Sequence, residues 1–170
     1  MYEKIIERVF GAGNGNGNDP ATTQALAPEV LAIGDTLDLS GWELTVDDVE
    51  FLGQLQLGLM TFQTDRDDQV FVYVSVTIAN NTDTQGTLFP STLRSPGALT
   101  TVLRYNDRSI LRTAVRGYGR DATDRRTGAG STADARLVFM VDAEMEHSEE
   151  PIELVIRTNA GDVIGVFALR

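Results

Sequence analysis

The segment at residues 70–78 constrains the fold of this chain more than any other part of the sequence. It reads Val-Phe-Val-Tyr-Val-Ser-Val-Thr-Ile, so each even position carries a β-branched aliphatic side chain while the odd positions are mixed. Successive side chains of a strand point to opposite faces. The alternation therefore predicts a β-strand with one packed face and one half-exposed face, and it indicates an all-β domain.

Residues 42–51 predict a second strand, which contains a β-bulge. Apolar residues occupy even positions from Trp42 to Val46 and odd positions from Val49 onward. The pattern slips by one position at Asp47-Asp48. A one-residue slip that keeps both faces is the mark of a bulge, in which one extra residue is inserted into the strand.

Shorter patterns complete the part of the sheet that precedes the central strand. Residues 36–39 predict a short strand that ends in a Ser-Gly turn. We interpret the apolar, glycine-containing residues 52–61 as a continuation of the strand at 42–51. Residues 64–68, Thr-Asp-Arg-Asp-Asp, are then a hairpin loop that leads into the central strand.

The second half of the chain predicts further strands. Residues 99–105 and 109–115 flank an Asn-Asp turn, and residues 135–141 are predominantly apolar and expected to be buried on both faces. Residues 152–157 and 163–169 form a hairpin across Asn-Ala-Gly-Asp. Residues 117–130 are expected to be a long polar loop.

Strands at this spacing predict an all-β, immunoglobulin-like β-sandwich of seven or eight strands. A chain of 170 residues is most simply one such domain plus a tail. The expected core residues are aliphatic or aromatic and come from four of the predicted strands: Trp42, Leu44, Val46, Val72, Val74, Val76, Phe139, Leu154 and Ile156.

The N-terminal residues 1–10 predict a short amphipathic helix that serves as an arm. Its apolar stripe consists of Tyr2, Ile5, Ile6, Val9 and Phe10. A helix this short is marginal by itself in water and needs a surface to pack against. Either the arm docks on a partner or neighbouring subunit, or it is a frayed end or folds back on its own domain.

Residues 11–30 predict a linker rich in glycine and asparagine between the arm and the sandwich, which we assign to residues 31–170. The glycine-asparagine tract superficially resembles a phosphate-binding loop. It lacks the preceding strand, the following helix and the lysine that such loops need.

Composition excludes several classes of function. The formal net charge is −11, which opposes binding to nucleic acid. The chain has no cysteine, so disulfides, thiolate zinc sites and cysteine nucleophiles are absent from it. No apolar run reaches the length of about 18 residues that spans a bilayer. The first residues are charged and lack the apolar segment of a secretory signal, so either the protein stays inside the cell or a leader was removed.

The titratable residues do not predict catalysis or a cofactor. The only histidine, His147, lies in an acidic segment with no nucleophile near it in sequence. Asp65, Asp67 and Asp68 resemble the start of a calcium loop but lack the later glycine and the bidentate glutamate, so we predict no metal site there. The acidic residues at 47, 48 and 50 are explained by the bulge.

The arginines between residues 104 and 126 form the most unusual charge pattern. Five of them recur at every fourth position: Arg104, Arg108, Arg112, Arg116 and Arg120. One interpretation is a surface for an anion or an acidic partner, because arginine binds carboxylates and phosphates through two parallel hydrogen bonds. The other is neutralisation by the 25 acidic residues of the same chain.

The order of several short segments resembles a known family. Ala-Ile-Gly-Asp-Thr-Leu at 32–37 precedes the bulged strand, Asn-Asn-Thr at 80–82 ends the central strand, and Gly-Ser-Thr at 130–132 leads into a buried strand that is followed by Ile-Glu-Leu at 152–154. This order is similar to that of the bacterial telokin-like immunoglobulin domains of secreted proteins and lipoproteins, some of which are called immunoprotective extracellular proteins.

The resemblance implies an immunoglobulin-like fold and carries no catalytic motif. It implies a non-catalytic binding or structural module of the cell envelope or extracellular space, whose partner is another protein chain, a second copy included. An alternative is a subunit of a larger assembly, such as a virion or surface layer, that docks through residues 1–10. A third is an accessory domain that stabilises an enzyme.

Overall fold

The structure is a computed structural model that describes residues 28, 30–90, 97–113, 121–123 and 125–170. These residues contain eleven strands and one helical turn. In chain order the elements are β1 (Val30–Leu31), β2 (Thr36–Asp38), β3 (Trp42–Leu52), β4 (Gln54–Leu57), β5 (Met60–Gln63), β6 (Gln69–Asn80), β7 (Leu99–Tyr105), β8 (Arg108–Leu111), β9 (Ser131–Asp142), α1 (Glu144–His147), β10 (Ile152–Thr158) and β11 (Val163–Ala168).

Nine of the strands form the two sheets of a sandwich. The five-stranded sheet has the order β1-β11-β10-β7-β8, and the four-stranded sheet has the order β2-β3-β6-β9. The chain crosses between the sheets after β1, after β6, after β8 and after β9, so that β6 pairs with β9 in one sheet while β7 pairs with β10 in the other. This interlocked Greek-key arrangement is that of immunoglobulin-like sandwiches. The predicted all-β sandwich is therefore confirmed.

The strand count exceeds the seven or eight expected because several strands are only two to four residues long. Runs this short carry too few alternations to stand out in a sequence. Among the described residues, no helix is long and apolar enough to cross a membrane.

The core lies between the two sheets and is centred on β6, which pairs with β9 along its whole length and with β3 from Phe71 to Asn80. All five even-numbered side chains from Val70 to Ile78 are buried. They face apolar side chains of the other sheet such as Leu103, Leu154 and Phe167. Every predicted core residue belongs to this cluster, with Trp42 packed at its margin.

The bulge predicted in the second strand is present in β3. Val46 pairs with Val76 and Asp48 pairs with Ser75, so Asp47 is the inserted residue without a partner in the ladder. Its carboxylate Oδ2 instead accepts a hydrogen bond of 2.9 Å from the Thr77 hydroxyl. This bond gives the acidic residue at position 47 a structural role in the sheet.

The interpretation of residues 52–61 as a continuation of β3 was wrong. The chain reverses and forms the separate hairpin β4–β5, which we call the side hairpin. Gly58 has φ +61° while Leu59 does not have a positive φ, which fits a tight two-residue turn of type II′. Residues 64–68 consequently connect two strands that do not pair with each other, rather than forming a hairpin loop.

The side hairpin covers the outer face of the four-stranded sheet. Leu55 and Leu57 are buried against Phe71 of β6 and Val138 of β9. The expectation that residues 135–141 are buried on both faces is confirmed, because β9 has the core on one side and the side hairpin on the other. Arg136 departs from the apolar pattern expected there and is nevertheless 3% exposed.

Candidate functional site

The outer face of the five-stranded sheet carries one apolar residue on each of its five strands. In the register of the sheet, Val30 pairs with Val166, Val166 with Val155, Val155 with Val102, and Val102 with Leu111. Their neighbours along each strand, such as Leu103, Leu154 and Phe167, point into the core. Since side chains alternate between faces, the five residues form a continuous row across the outside of the sheet, which we call the valine row.

The valine row is covered at its centre and exposed at both ends. Val102, Val155 and Val166 are only 1–3% exposed and form a cluster separate from the main core. Leu111 at one end is 70% exposed and Val30 at the other is 55% exposed. An apolar strip that continues to the surface in this way is a feature of interaction sites, because water solvates it poorly.

An ion pair borders the valine row on the same face. Arg104 and Glu153 pair across β7 and β10, two residues along each strand from Val102 and Val155. The Arg104 Nε donates to Glu153 Oε2 at 2.5 Å, and this hydrogen bond raises the pKa of Arg104 above its usual value. The side chains are 42% and 22% exposed, so the pair contributes about 0.2–1 kcal/mol to stability.

Arg108 lies on the same hairpin as Arg104 but on the opposite face. Asn106 and Asp107 both have positive φ, which fits a type I′ turn and confirms the turn predicted there. In the resulting register Tyr105 faces Arg108 and Arg104 faces Ser109. The four-residue spacing of the arginines therefore does not produce one continuous stripe, because the turn interrupts it.

Arg112 is held inside the protein by a carboxylate. Its Nη1 lies 3.1 Å from Asp121 Oδ1, and the two side chains are 16% and 6% exposed. Asp121 also accepts hydrogen bonds from the backbone N–H and the hydroxyl of Thr123. Arg104 and Arg112 are thus each paired with an acidic residue of their own chain.

The segment around this buried pair closes the edge of β9. The Thr113 N–H donates to the Val138 carbonyl at 2.8 Å, and the Ala122 N–H donates to the Arg136 carbonyl at 2.9 Å. Residues 121, 122 and 127 are buried, so this part of the predicted polar loop belongs to the packed structure. The prediction missed this packing because only a few residues of the segment are apolar.

Several predicted site residues lie outside the described residues. These are Arg116 and Arg120 of the arginine series and the whole apolar stripe of the arm: Tyr2, Ile5, Ile6, Val9 and Phe10. Their role in partner binding stays a prediction. β8 ends at Leu111, short of the predicted limit at residue 115.

The acidic segments are engaged with arginine rather than gathered into a cluster. Arg66 pairs with Asp68 at 3.1 Å and with Asp142 at 2.9 Å. No group of three or more histidine, cysteine, aspartate or glutamate residues that could hold a metal occurs in the described part of the chain. His147 is exposed at the end of α1, whose last carbonyls accept hydrogen bonds from Arg170.

Comparison with known proteins places the chain among β-sandwiches. No protein-family model and no curated protein matches it. An uncharacterized β-sandwich protein from Clostridium difficile is similar in structure, with a TM-score of 0.58 at 14% identity over 85% of this chain and 97% of that one. A conserved hypothetical protein from Bacillus anthracis has a TM-score of 0.52 at 14% identity, over 79% of this chain and 94% of that one.

The yjhA protein from Bacillus subtilis is also similar, with a TM-score of 0.50 at 19% identity over 78% of this chain and 86% of that one. At these identities the likenesses show the fold alone. They agree with the immunoglobulin-like sandwich.

Proposed function

We propose that this chain is a non-catalytic binding module of the cell envelope or extracellular space, and that it binds another protein through the outer face of the five-stranded sheet. The exposed ends of the valine row, Leu111 and Val30, carry the proposal, because the centre of the row is buried within the chain. The exposed end at Leu111 lies on the same face as Arg104, whose guanidinium carries N–H groups besides the Nε–H given to Glu153, and these can donate to acidic or carbonyl groups of a partner. Apolar contact next to polar groups is the usual anatomy of a protein–protein interface.

The envelope setting is supported by the resemblance to domains of secreted proteins and lipoproteins. Protease treatment of intact cells tests it directly. We expect the chain to be digested from outside, or after release of the periplasm, whereas a cytoplasmic control protein remains intact. Protection equal to that of the cytoplasmic control would refute the setting.

Site-specific crosslinking tests the binding face, since a chain without cysteine accepts a single labelled one. A photoreactive probe on Leu111→Cys lies at the end of the valine row, and the same probe on Glu43→Cys lies at an exposed position of the four-stranded sheet. In cells of the source species we expect a discrete crosslinked product from the first and not from the second. Equal products from both positions would contradict the proposal.

A further inference from the structure

The outer strand of the side hairpin has an unpaired edge. β5 pairs with β4, and among the described residues no other strand adjoins it. Leu57 and Met60 flank the two-residue turn and form a hydrogen-bonded pair, as do Leu55 and Phe62 two positions further on. It follows that Thr61 and Gln63 direct their backbone N–H and C=O groups away from β4.

The same edge lacks the charges that usually prevent strands from associating. Residues 53–64 contain no charged side chain, in a protein with a net charge of −11. The edges of β2, β8 and β9 differ, because β2 carries Asp38, β8 carries Arg108, and the edge of β9 is bonded to the segments at 113 and 122. Natural sheets commonly place charge on a free edge to block pairing. At β5 two copies of this acidic chain can approach with little local repulsion.

The apolar side of the hairpin is covered under β4 but not under β5. Leu55 and Leu57 are 2% and 6% exposed. Met60 is 48% exposed, and Phe62 is only partly buried although it faces the same way as Leu55. A further strand beside β5 extends this apolar surface and covers both side chains.

We propose that two copies of the chain associate through β5, antiparallel and related by a two-fold axis, to form a four-stranded sheet from their side hairpins. Thr61 of each copy then faces Gln63 of the other, so that every outward backbone group of these residues is bonded. Phe62 faces its own counterpart at the axis, where side chains approach closely. A register shifted by two residues in either direction would place the turn at Gly58 or the charged Asp65 opposite the partner strand instead.

The association is isologous, because both copies use the same edge. A four-residue strand edge buries a small area compared with the interface of a stable complex. The dimer is therefore a weak one that forms at high local concentration. It leaves the valine row free, because the side hairpin covers the opposite sheet. The dimer and the proposed partner binding are consequently independent of each other.

Disulfide trapping tests the register. Thr61→Cys and Gln63→Cys are made as separate variants and mixed under mild oxidation. We expect rapid dimer in the mixture and little in either variant alone, because facing residues of a hydrogen-bonded pair have Cα atoms about 5.5 Å apart, within disulfide range. A mixture of Gln54→Cys and Gln56→Cys, exposed on β4, is the matched control. Trapping no faster than in that control would overturn the proposal.

Charge placed at the edge provides a second test. Thr61→Glu and Gln56→Glu change the net charge equally and lie opposite each other on the exposed face of the hairpin. By sedimentation at rising concentration we expect dimer for the wild-type chain and for Gln56→Glu, and monomer for Thr61→Glu. Equal association of the two variants, or a wild-type chain that stays monomeric throughout, would contradict the β5 dimer.

Discussion

Replacing Asn80 by alanine should destabilise the sandwich by several times more than the same change at its neighbour. Asn80 is fully buried at the end of β6, where its amide nitrogen donates to the carbonyls of Thr84 at 2.8 Å and Thr127 at 3.0 Å. Its side-chain oxygen accepts hydrogen bonds from the backbone N–H and the hydroxyl of Thr82. One side chain thus joins the end of β6 to two loops.

The magnitude follows from what each partner loses. A hydrogen bond contributes about 0.5–1.5 kcal/mol net, which sets a range of roughly 2–6 kcal/mol for the four bonds. Once Asn80 is removed, the single O–H of Thr82 can donate to the Thr84 carbonyl instead of to Asn80, and the Thr127 carbonyl keeps the Gly86 N–H. These retained partners place the expected loss in the lower part of the range, at about 2–3 kcal/mol.

Urea unfolding measures this loss, and Asn81→Ala is the matched control. Asn81 is exposed, and its amide nitrogen donates a hydrogen bond of 2.9 Å to the Glu43 carboxylate. We expect the control to change the free energy of unfolding by less than about 0.5 kcal/mol. We also expect equal m-values, since the surface exposed on unfolding is the same. If Asn80→Ala unfolds at the same urea concentration as Asn81→Ala, the assigned role of the buried amide is wrong.

Three further predictions concern the core, a close contact and the arm. Val74→Asp puts an unpaired charge at a fully buried position and should leave the chain unfolded, as circular dichroism would show, whereas a native spectrum would refute the assigned core. Gly86→Ala places a Cβ 2.8 Å from the Trp42 ring and should cost about 1–3 kcal/mol with a change in the fluorescence of this single tryptophan; an unchanged melting temperature and spectrum would contradict the contact. Deletion of residues 1–18 should leave the melting temperature nearly unchanged and weaken partner capture. A substantially lower melting temperature with partner capture intact would show that the arm packs on its own domain.

The sequence predicted the fold correctly where a single strand contained enough alternating residues to define its buried face and its exposed face. The pattern at residues 70–78 and the slip at Asp47 each describe a local property of one strand, and both are present in the structure. The side hairpin was not predicted because apolar residues alternate on both sides of Gly58, as they would in one continuous strand. The chain reverses there through the positive φ of that glycine, which the sequence pattern does not show.

The candidate site could not be predicted because it depends on register between distant strands. The local sequence around Val102, Val155 and Val166 does not indicate whether each valine lies in the core or on the outer face of the sheet. Their alignment with Val30 and Leu111 requires the pairing of all five strands. The buried pair of Arg112 with Asp121 was likewise hidden, since charged residues in a segment read as a loop are expected to face water.

Competition for the crosslinked partner tests the central claim, that the outer face of the five-stranded sheet binds another protein. Unlabelled wild-type chain, Leu111→Asp and Leu59→Asp are added in excess to cells with the probe at position 111. Leu59 is fully exposed at the tip of the side hairpin, so the two variants make the same change at two exposed leucines on different sheets. We predict that wild type and Leu59→Asp suppress the product and that Leu111→Asp does not. Suppression by Leu111→Asp as strong as that by wild type would contradict the account.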